Sequence, residues 1–323
     1  MVVFDNKMYV AGERLFQYSL NSGGEGVWDE PSPPPQPPNK IISLAATNNH
    51  LYALTGELQG SALYRKDKDS GWKEVTKYPG YPILQTIYGD EKQLFAGAQK
   101  TTGDQYAILY DDGNGALKLL DDKAGLLRGA VLEGSSHLLA VFGDGNRTES
   151  QYRGIFKVNE STMVFDPNPV PGTGSINFTG IIHTGSVVAA VNRSGVVYAG
   201  NSGGFTEMCR QGPTFTGALA LGKSTKGEDL LFLGVQGGSG AGGYREILLS
   251  DNPWTLRNPG ENQPSSVSNY ERYHSSIANH PVNYIFQTPA KIDPRMTIFV
   301  STQKDGLWSY RERDGEWQWN REP

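Results

Sequence analysis

One short sequence pattern recurs seven times along the chain at nearly constant spacing, and this constrains the fold more than any other feature. Each copy is a polar turn followed by a short apolar strand, from MYVAG at 8–12 to IFVST at 298–302. The second residues of the copies lie at positions 9, 52, 95, 139, 188, 231 and 299. Five of the six intervals fall between 43 and 49 residues, and the last is 68. Such a period indicates a repeat architecture.

Three further strand-like segments accompany each copy, one before it and two after it. In the second repeat these are IISLAA (41–46), ALYRKD (62–67) and WKEV (72–75). Four antiparallel strands per repeat, repeated seven times, predict an all-β, seven-bladed β-propeller. A lone four-stranded sheet cannot cover both of its apolar faces, whereas stacking such sheets around an axis covers both and leaves only short edges.

The repeat also predicts the domain boundaries. We expect a single propeller domain over 1–323, with blades at approximately 1–30, 41–78, 83–122, 126–168, 176–210, 215–257 and 284–321. The long last interval contains an insertion at 258–283, where SNYERYHSSIA is compatible with a short helix or with a plug over the channel. The first repeat opens at MVVF, so either residues are missing upstream or this stub supplies its inner strand.

Composition excludes several functional classes. The net charge of −5 argues against a nucleic-acid partner, which usually requires a basic stripe. No apolar run approaches the roughly 18 residues of a membrane span, so we expect no transmembrane segment. The single cysteine, Cys209, permits no intrachain disulfide and is best interpreted as an inert buried thiol. No spacing of ligand residues predicts a metal site or another cofactor.

The N-terminus has neither a basic segment nor an apolar one, because Asp5, Asn6 and Lys7 interrupt it. Either the protein is cytoplasmic, or it is exported and its signal segment is absent from this chain. We predict an exported protein that is periplasmic, cell-surface or secreted.

Two turns carry a family resemblance. KDKDSGWKEV (66–75) and RERDGEWQW (311–319) resemble the Asp-box (BNR-like) turn, in which Ser-x-Asp-x-Gly-x-x-Trp joins the two outer strands of a blade. Neither copy has the full spacing, so the resemblance covers the blade plan and implies a degenerate BNR-like propeller. The arginine triad and the Tyr/Glu pair of the sialidases in that class do not map onto this sequence.

Strand alternation places the long loops on one side of the molecule, because the loop after an outer strand and the loop between strands two and three share a face. These loops include 32–40, 98–106, 143–153 and 235–245, and long loops often bind ligands. Tyr and Arg are frequent anchors at interfaces. The alternative is that each Tyr only fastens its loop to the blade. The candidate binding residues are Tyr106, Tyr152, Arg153, Tyr244 and Arg245 at the loop ends, with Tyr270, Arg272, Tyr273 and His274 in the insertion.

Three functions remain open at this point. The preferred one is a non-enzymatic binding propeller that holds a protein or peptide on the loop-rich face, because no catalytic constellation is visible. The second is a lectin-like propeller in which the repeated Trp and Tyr stack on a glycan. The third is a glycoside hydrolase or lyase with carboxylates at the channel mouth. Fold alone does not choose among them.

Overall fold

The computed structural model is a β-propeller of seven blades, each a sheet of four antiparallel strands, as the repeat predicts. In every sheet the strands are hydrogen-bonded in chain order, so the first is an edge and the fourth is the opposite edge. The structure describes residues 1–12, 14–35, 40–56, 60–101, 105–143, 152–210, 215–224, 226–235, 243–257, 277, 280–303, 306–313 and 316–322.

The chain forms two compact units. The first consists of Met1–Phe178 with Asn201–Gly204, and the second of Thr179–Gly200 with Phe205–Pro323. The first unit holds four sheets. The first sheet consists of β1 (Val2–Phe4), β2 (Lys7–Ala11), β3 (Leu15–Leu20) and β4 (Gly26–Asp29), and the second of β5 (Ile41–Ala46), β6 (Leu51–Thr55), β7 (Ala62–Lys66) and β8 (Trp72–Glu74). The third consists of β9 (Ile83–Gly89), β10 (Leu94–Gln99), β11 (Tyr106–Asp111) and β12 (Leu117–Asp121), and the fourth of β13 (Leu126–Glu133), β14 (Ser136–Phe142), β15 (Gly154–Asn159) and β16 (Phe165–Pro169).

The second unit holds most of the fifth sheet and all of the last two. Their strands are β17 (Phe178–His183), β18 (Val188–Asn192), β19 (Val196–Asn201) and β20 (Gly204–Arg210); β21 (Phe215–Lys223), β22 (Asp229–Val235), β23 (Tyr244–Leu248) and β24 (Thr255–Arg257); and β25 (Val282–Gln287), β26 (Ile298–Thr302), β27 (Gly306–Arg313) and β28 (Glu316–Arg321).

The second strand of each sheet forms the centre of the core. Its residues read as an almost unbroken apolar run because both faces are covered. All five residues of β6 are buried, and so are the first five of β10. In the first unit, separate apolar clusters join the second sheet to the third and the third sheet to the fourth. The buried apolar side chains of these clusters therefore lie between neighbouring sheets, as expected for stacked blades.

Short polar residues close the turn between the first and second strands. Thr47 Oγ1 accepts hydrogen bonds from the backbone N–H groups of Asn49 and His50. Asp90 Oδ1 accepts them from Lys92 and Gln93, both at 2.9 Å. Side chains of this kind satisfy a turn locally and favour a tight reversal. The turns that follow β5 and β9 are thus compact.

Two buried polar contacts join neighbouring sheets of the first unit near those compact ends. His137 Nδ1 lies 2.6 Å from Asp90 Oδ2, and both side chains are buried. Tyr52 donates a 2.8 Å hydrogen bond to Asp111 Oδ2, and Arg65 lies 3.4 Å from the same oxygen. These contacts hold the third sheet to the fourth and to the second, respectively.

Of three further sequence predictions, the structure tests one. MVVF does supply an inner strand, since Val2–Phe4 pairs with β2. The helix predicted in the insertion lies outside the described residues, which within 258–283 are only 277 and 280–283. The single-domain division with its blade boundaries stays a prediction.

Candidate functional site

The starts of three inner strands in the first unit share an irregularity. In β5, Ile41 pairs with Thr55 and Ser43 pairs with Leu54, which leaves Ile42 as the extra residue of a β-bulge. Equivalent bulges place Gln85 in β9 and Arg128 in β13. The three positions are spaced by 43 residues, the period of the repeat. We call Ile42, Gln85 and Arg128 the bulge row.

The bulge row lies on the loop-rich face. Gln99 ends β10 and Tyr106 begins β11 at this face, and Ile83 at the start of β9 pairs with Gln99. A bulge re-aims its side chain relative to the regular ladder. Ile41, Leu84 and Leu127 immediately precede the bulge row and are buried, whereas its own members are half-buried. Three neighbouring sheets therefore present an apolar group, an amide and a guanidinium at corresponding positions.

The second and third members of the row lie on strands that touch. Thr86 Oγ1 donates to the backbone oxygen of Leu127 at 3.3 Å, and these two residues adjoin Gln85 and Arg128. A Cβ added at Gly97 would lie 3.3 Å from the Cβ of Leu127, so β10 also approaches β13 closely. This close approach fixes the two bulges relative to each other.

Arg128 is held by stacking. Its Cζ lies 5.3 Å from the ring centroid of Phe142, a cation–π contact. Its Nε is buried and has no hydrogen-bond partner in the described part of the chain. Leaving a buried donor unsatisfied costs about 1–3 kcal/mol, so such a group calls for an explanation.

Gln85 connects the bulge row to a residue that the sequence predicted. Its Nε2 donates to Gln99 Oε1 at 2.5 Å, and Gln99 pairs with Tyr106 across β10 and β11. Tyr106, a candidate binding residue, is half-buried at the start of β11. The structure therefore places Tyr106 at the same end of the third sheet as Gln85.

An aromatic and cationic cluster lies beside them. Tyr78 and Tyr81 stack with centroids 6.5 Å apart, and Lys100 Nζ lies 5.3 Å from the Tyr81 centroid. Lys100 also donates to Gln105 Oε1 at 2.5 Å. Burial raises the pKa of Tyr81, and the charges of Asp122 and Asp121 raise it further, so its phenol stays protonated. Sequence reasoning missed this cluster, although YPGYP (78–82) is a visible signal.

Tyr152 and Arg153 have different environments. The Tyr152 ring makes edge contacts with Phe156 at 5.7 Å and Phe165 at 6.1 Å, and its backbone bridges to Ala124. Arg153 is exposed next to it. Tyr152 thus fastens its loop to the fourth sheet, while Arg153 is open to a ligand.

In the second unit, Tyr244 is fully buried. Its ring packs against Phe232 at 5.6 Å and Trp319 at 6.3 Å. This burial supports the alternative that Tyr244 fastens its loop and does not contact a ligand. Arg245 is half-buried, and its Nη1 donates a hydrogen bond to the backbone carbonyl oxygen of Tyr244 at 3.1 Å.

The remaining candidates, Tyr270, Arg272, Tyr273 and His274, lie outside the described residues. The inner strand β25 of the second unit adds two residues that the sequence did not single out. Asn283 forms a fourth bulge there, and Tyr284 beside it is 50% exposed. Burial of the rest of the side chain nevertheless raises the pKa of Tyr284.

Catalytic and metal-binding chemistry finds little support among the described residues. They contain no group of three His, Cys, Asp or Glu side chains that could hold a metal ion. Burial, with a smaller effect of Glu207, raises the pKa of Cys209 to about 11, which leaves its thiol protonated at neutral pH. The buried carboxylate of Asp90 lies in the turn after β9 and that of Asp111 ends β11, both away from the loop-rich face.

Three tryptophans on or beside outer strands, Trp28, Trp72 and Trp254, pack within the described structure. Trp28 contacts Tyr18 at 5.1 Å and Phe16 at 6.4 Å between ring centroids. Trp72 Nε1 donates to the Ser32 oxygen at 3.0 Å, and Trp254 is buried. Such rings offer little free face for a sugar.

Comparison with known proteins supports the fold. No family model and no curated protein sequence matches the chain, so the BNR-like resemblance is not confirmed. A candidate 6-phosphogluconolactonase from Bacteroides fragilis aligns with a TM-score of 0.61 and 12% identity over 99% of this chain and 95% of the other. Virginiamycin B lyase from Staphylococcus aureus aligns with a TM-score of 0.59 and 16% identity, over 95% of this chain and 92% of the other.

Two further structures resemble the chain. YCF48 bound to D1 peptide gives a TM-score of 0.53 and 15% identity over 95% of this chain and 90% of the other. The extracellular domain of a candidate hybrid two-component system from B. thetaiotaomicron aligns with a TM-score of 0.55 and 12% identity. The alignment covers 95% of this chain and 37% of the other. At these identities the likeness shows the fold alone. Across the described residues, no helix is long and apolar enough to cross a membrane.

Proposed function

We propose that this protein is a non-enzymatic binding propeller that holds a peptide or protein segment on its loop-rich face. The bulge row carries the proposal. An apolar side chain, an amide and a guanidinium stand at corresponding positions of three sheets, and the guanidinium of Arg128 has no hydrogen-bonding partner among the described residues. This combination suits recognition, and it contains no nucleophile paired with a base.

The neighbouring residues extend the same surface. Lys100 and Tyr106 add a cation and an aromatic ring near Gln85, and the buried Tyr81 ring supports Lys100. Tyr and Arg contribute disproportionately to binding energy at protein interfaces. We keep Arg153 and Arg245 as further contact residues, with Tyr152 and Tyr244 supporting their loops. Tyr270, Arg272, Tyr273 and His274 stay proposed contacts in the insertion.

The fold is compatible with such a ligand. YCF48, one of the propellers that resemble this chain, is bound to a D1 peptide. The lyase and the candidate lactonase show that the fold also hosts enzymes, so the proposal depends on the residues of this chain. Packing of Trp28 and Trp72 disfavours a lectin, and the placement of Asp90 and Asp111 disfavours a hydrolase or lyase acting on that face.

The test is selection from a random peptide library displayed on phage, with the intact chain as bait. Enriched peptides are synthesised, and their affinity is measured for the wild type and for a Gln85→Ala, Lys100→Ala, Arg128→Met variant. The control changes Lys73→Ala and Lys92→Ala, two exposed cations away from that face. We expect binding to be lost only in the first variant. Equal binding by all three proteins would refute the site, and failure to enrich any peptide would refute the function.

We also propose that the protein is exported. One structural relative is an extracellular domain, which shows that this fold occurs outside the cytoplasm. Fractionation of the source cells, with an antibody against this chain, tests the proposal. Recovery only in the cytoplasmic fraction would contradict it.

A further inference from the structure

We propose that Arg128 is a carboxylate-recognition residue, so that the partner segment places an Asp or Glu side chain over the inner strand of the fourth sheet. This inference rests on the proposed function and adds the chemistry of the ligand. It would make the binding surface selective for acidic peptides over neutral ones.

The first argument is the contrast between Arg128 and other arginines of the chain. Arginines normally pair with acidic groups where the structure offers them, and this chain has 34 acidic residues against 29 basic ones. Carboxylates lie 3.0 to 3.5 Å from the guanidinium nitrogens of Arg14, Arg65, Arg210, Arg295 and Arg311. Arg128 has no such partner in the described residues, although it is half-buried.

The second argument is the way Arg128 is held. The bulge between Leu127 and Gly129 takes Arg128 out of the regular pairing between β13 and β14. The Phe142 ring supports its guanidinium, with the ring centroid 5.3 Å from Cζ. The Arg128 Nε is buried and unsatisfied, and neither terminal nitrogen belongs to the buried, unpartnered atoms of the described residues. A guanidinium presents its donors as a rigid fork that matches the two oxygens of a carboxylate. Holding that fork in place before binding reduces the entropy lost when the ligand arrives.

The third argument concerns the surrounding charges. Asp121, the last residue of β12, is occupied by the backbone, because its Oδ1 accepts hydrogen bonds from the N–H groups of Lys123 at 2.8 Å and Ala124 at 2.7 Å. Asp122 is exposed, and its charge acts on Tyr81. The Gln85 amide, at the corresponding position of the neighbouring inner strand, provides a neutral group for the peptide backbone. The described surroundings therefore leave the Arg128 position open to an incoming carboxylate.

A double-mutant cycle tests this inference. The probes are peptides enriched from the random library, synthesised with each Asp or Glu replaced in turn by Asn or Gln. The proteins are the wild type, Arg128→Met, Arg128→Lys and the control Lys92→Met, which removes a cation at the opposite end of β9. Met retains an apolar stem on Phe142. Circular dichroism and the urea midpoint verify that each variant is folded.

We expect one acidic residue of the peptide to be coupled to Arg128. Its neutralisation weakens binding to the wild type by about 10- to 100-fold and binding to Arg128→Met by less than about 2-fold, which is the range for a charge-assisted hydrogen bond. Arg128→Lys restores part of the affinity because it keeps the charge and loses the fork. Lys92→Met behaves as wild type.

The opposing outcomes separate the two proposals. If peptides bind and the Gln85, Lys100, Arg128 variant loses them, but no acidic residue couples to Arg128, the carboxylate inference is overturned and loop-face binding stands. If Arg128→Met does not fold, the same comparison is made with Arg128→Lys, where unchanged affinity and unchanged acid preference overturn the inference. If no peptide is enriched, both proposals fail.

Discussion

At the scale of single residues, the structure pairs the acidic groups of the compact ends within the fold and leaves Arg128 without a carboxylate partner among the described residues. Asp111 accepts a hydrogen bond from the Tyr52 hydroxyl and lies beside Arg65. Arg128 instead stacks on Phe142 and has no acidic partner among the described residues. The sequence could not separate these roles, because an arginine paired with a carboxylate and one without such a partner look the same in it. The same limit applied to Tyr244, whose burial only the packing of the sixth sheet reveals.

The Tyr52 hydroxyl gives a stability prediction. Tyr52→Phe removes a hydrogen bond to a carboxylate and should lower the free energy of unfolding by about 1–3 kcal/mol, measured by urea denaturation at about pH 8. Tyr9→Phe is the matched control, since the Tyr9 hydroxyl makes no hydrogen bond within the described residues; it should cost less than about 0.5 kcal/mol. Equal effects would contradict the assigned role.

The same tyrosine predicts a pH dependence. Burial, together with the negative charge of Asp111, raises the pKa of Tyr52, so the folded state keeps a proton that the unfolded state loses above about pH 10. The stability that the wild type gains is therefore present below pH 10 and is lost as the pH rises. The difference between wild type and Tyr52→Phe should shrink from about pH 8 to about pH 11. A difference that grows would have the wrong sign.

Cys209 gives a reactivity prediction. Because burial raises the pKa of Cys209 to about 11, little thiolate exists near neutral pH. Alkylation by iodoacetamide at about pH 8 should be at least about 10-fold slower in the folded chain than in the urea-unfolded chain, whose thiol has a pKa near 8.5. Equal rates would show an accessible thiol of ordinary pKa and contradict this prediction, and only a faster rate in the folded chain would show an activated thiol.

At the scale of single elements, the repeat predicts where strands lie but not how they pair. The 43-residue period placed the inner strands correctly, yet a bulge depends on backbone registration against the second strand. The only sequence signal was a polar residue within an apolar strand, as in ILQTIY and LLRGAV. Alignment of the repeats would have put Gln85 and Arg128 at one position, although it would not have shown the bulge.

Close approach of neighbouring inner strands yields a prediction at this scale. A Cβ at Gly89, the last residue of β9, would overlap the carbonyl oxygen of Ala46 in β5. Gly89→Ala should therefore destabilise the protein by about 1–3 kcal/mol in urea denaturation, as overpacking does. A Cβ at Gly71 meets nothing within 4 Å, so Gly71→Ala should change stability by less than about 0.5 kcal/mol. If both variants matched, the strand contact would be absent.

At the scale of the whole molecule, periodicity was sufficient to predict seven four-stranded blades, because the fold depends on a pattern repeated many times. Function depends on residues that occur once, so the repeat could indicate the loop-rich face but could not rank the side chains on it. Tyr106 was predicted from its place at a loop end and adjoins the bulge row, whereas Tyr81, Lys100 and Arg128 were missed.

The most direct test of the central claim is amide hydrogen exchange of the intact chain with and without a peptide enriched from the library. The account predicts slower exchange on the loop-rich face, at residues 78–86, 99–106 and 126–130, and unchanged exchange in the compact turns at 47–50 and 90–93. Protection of those compact turns without protection of the bulge row would contradict it and would place the binding site at the opposite ends of the strands.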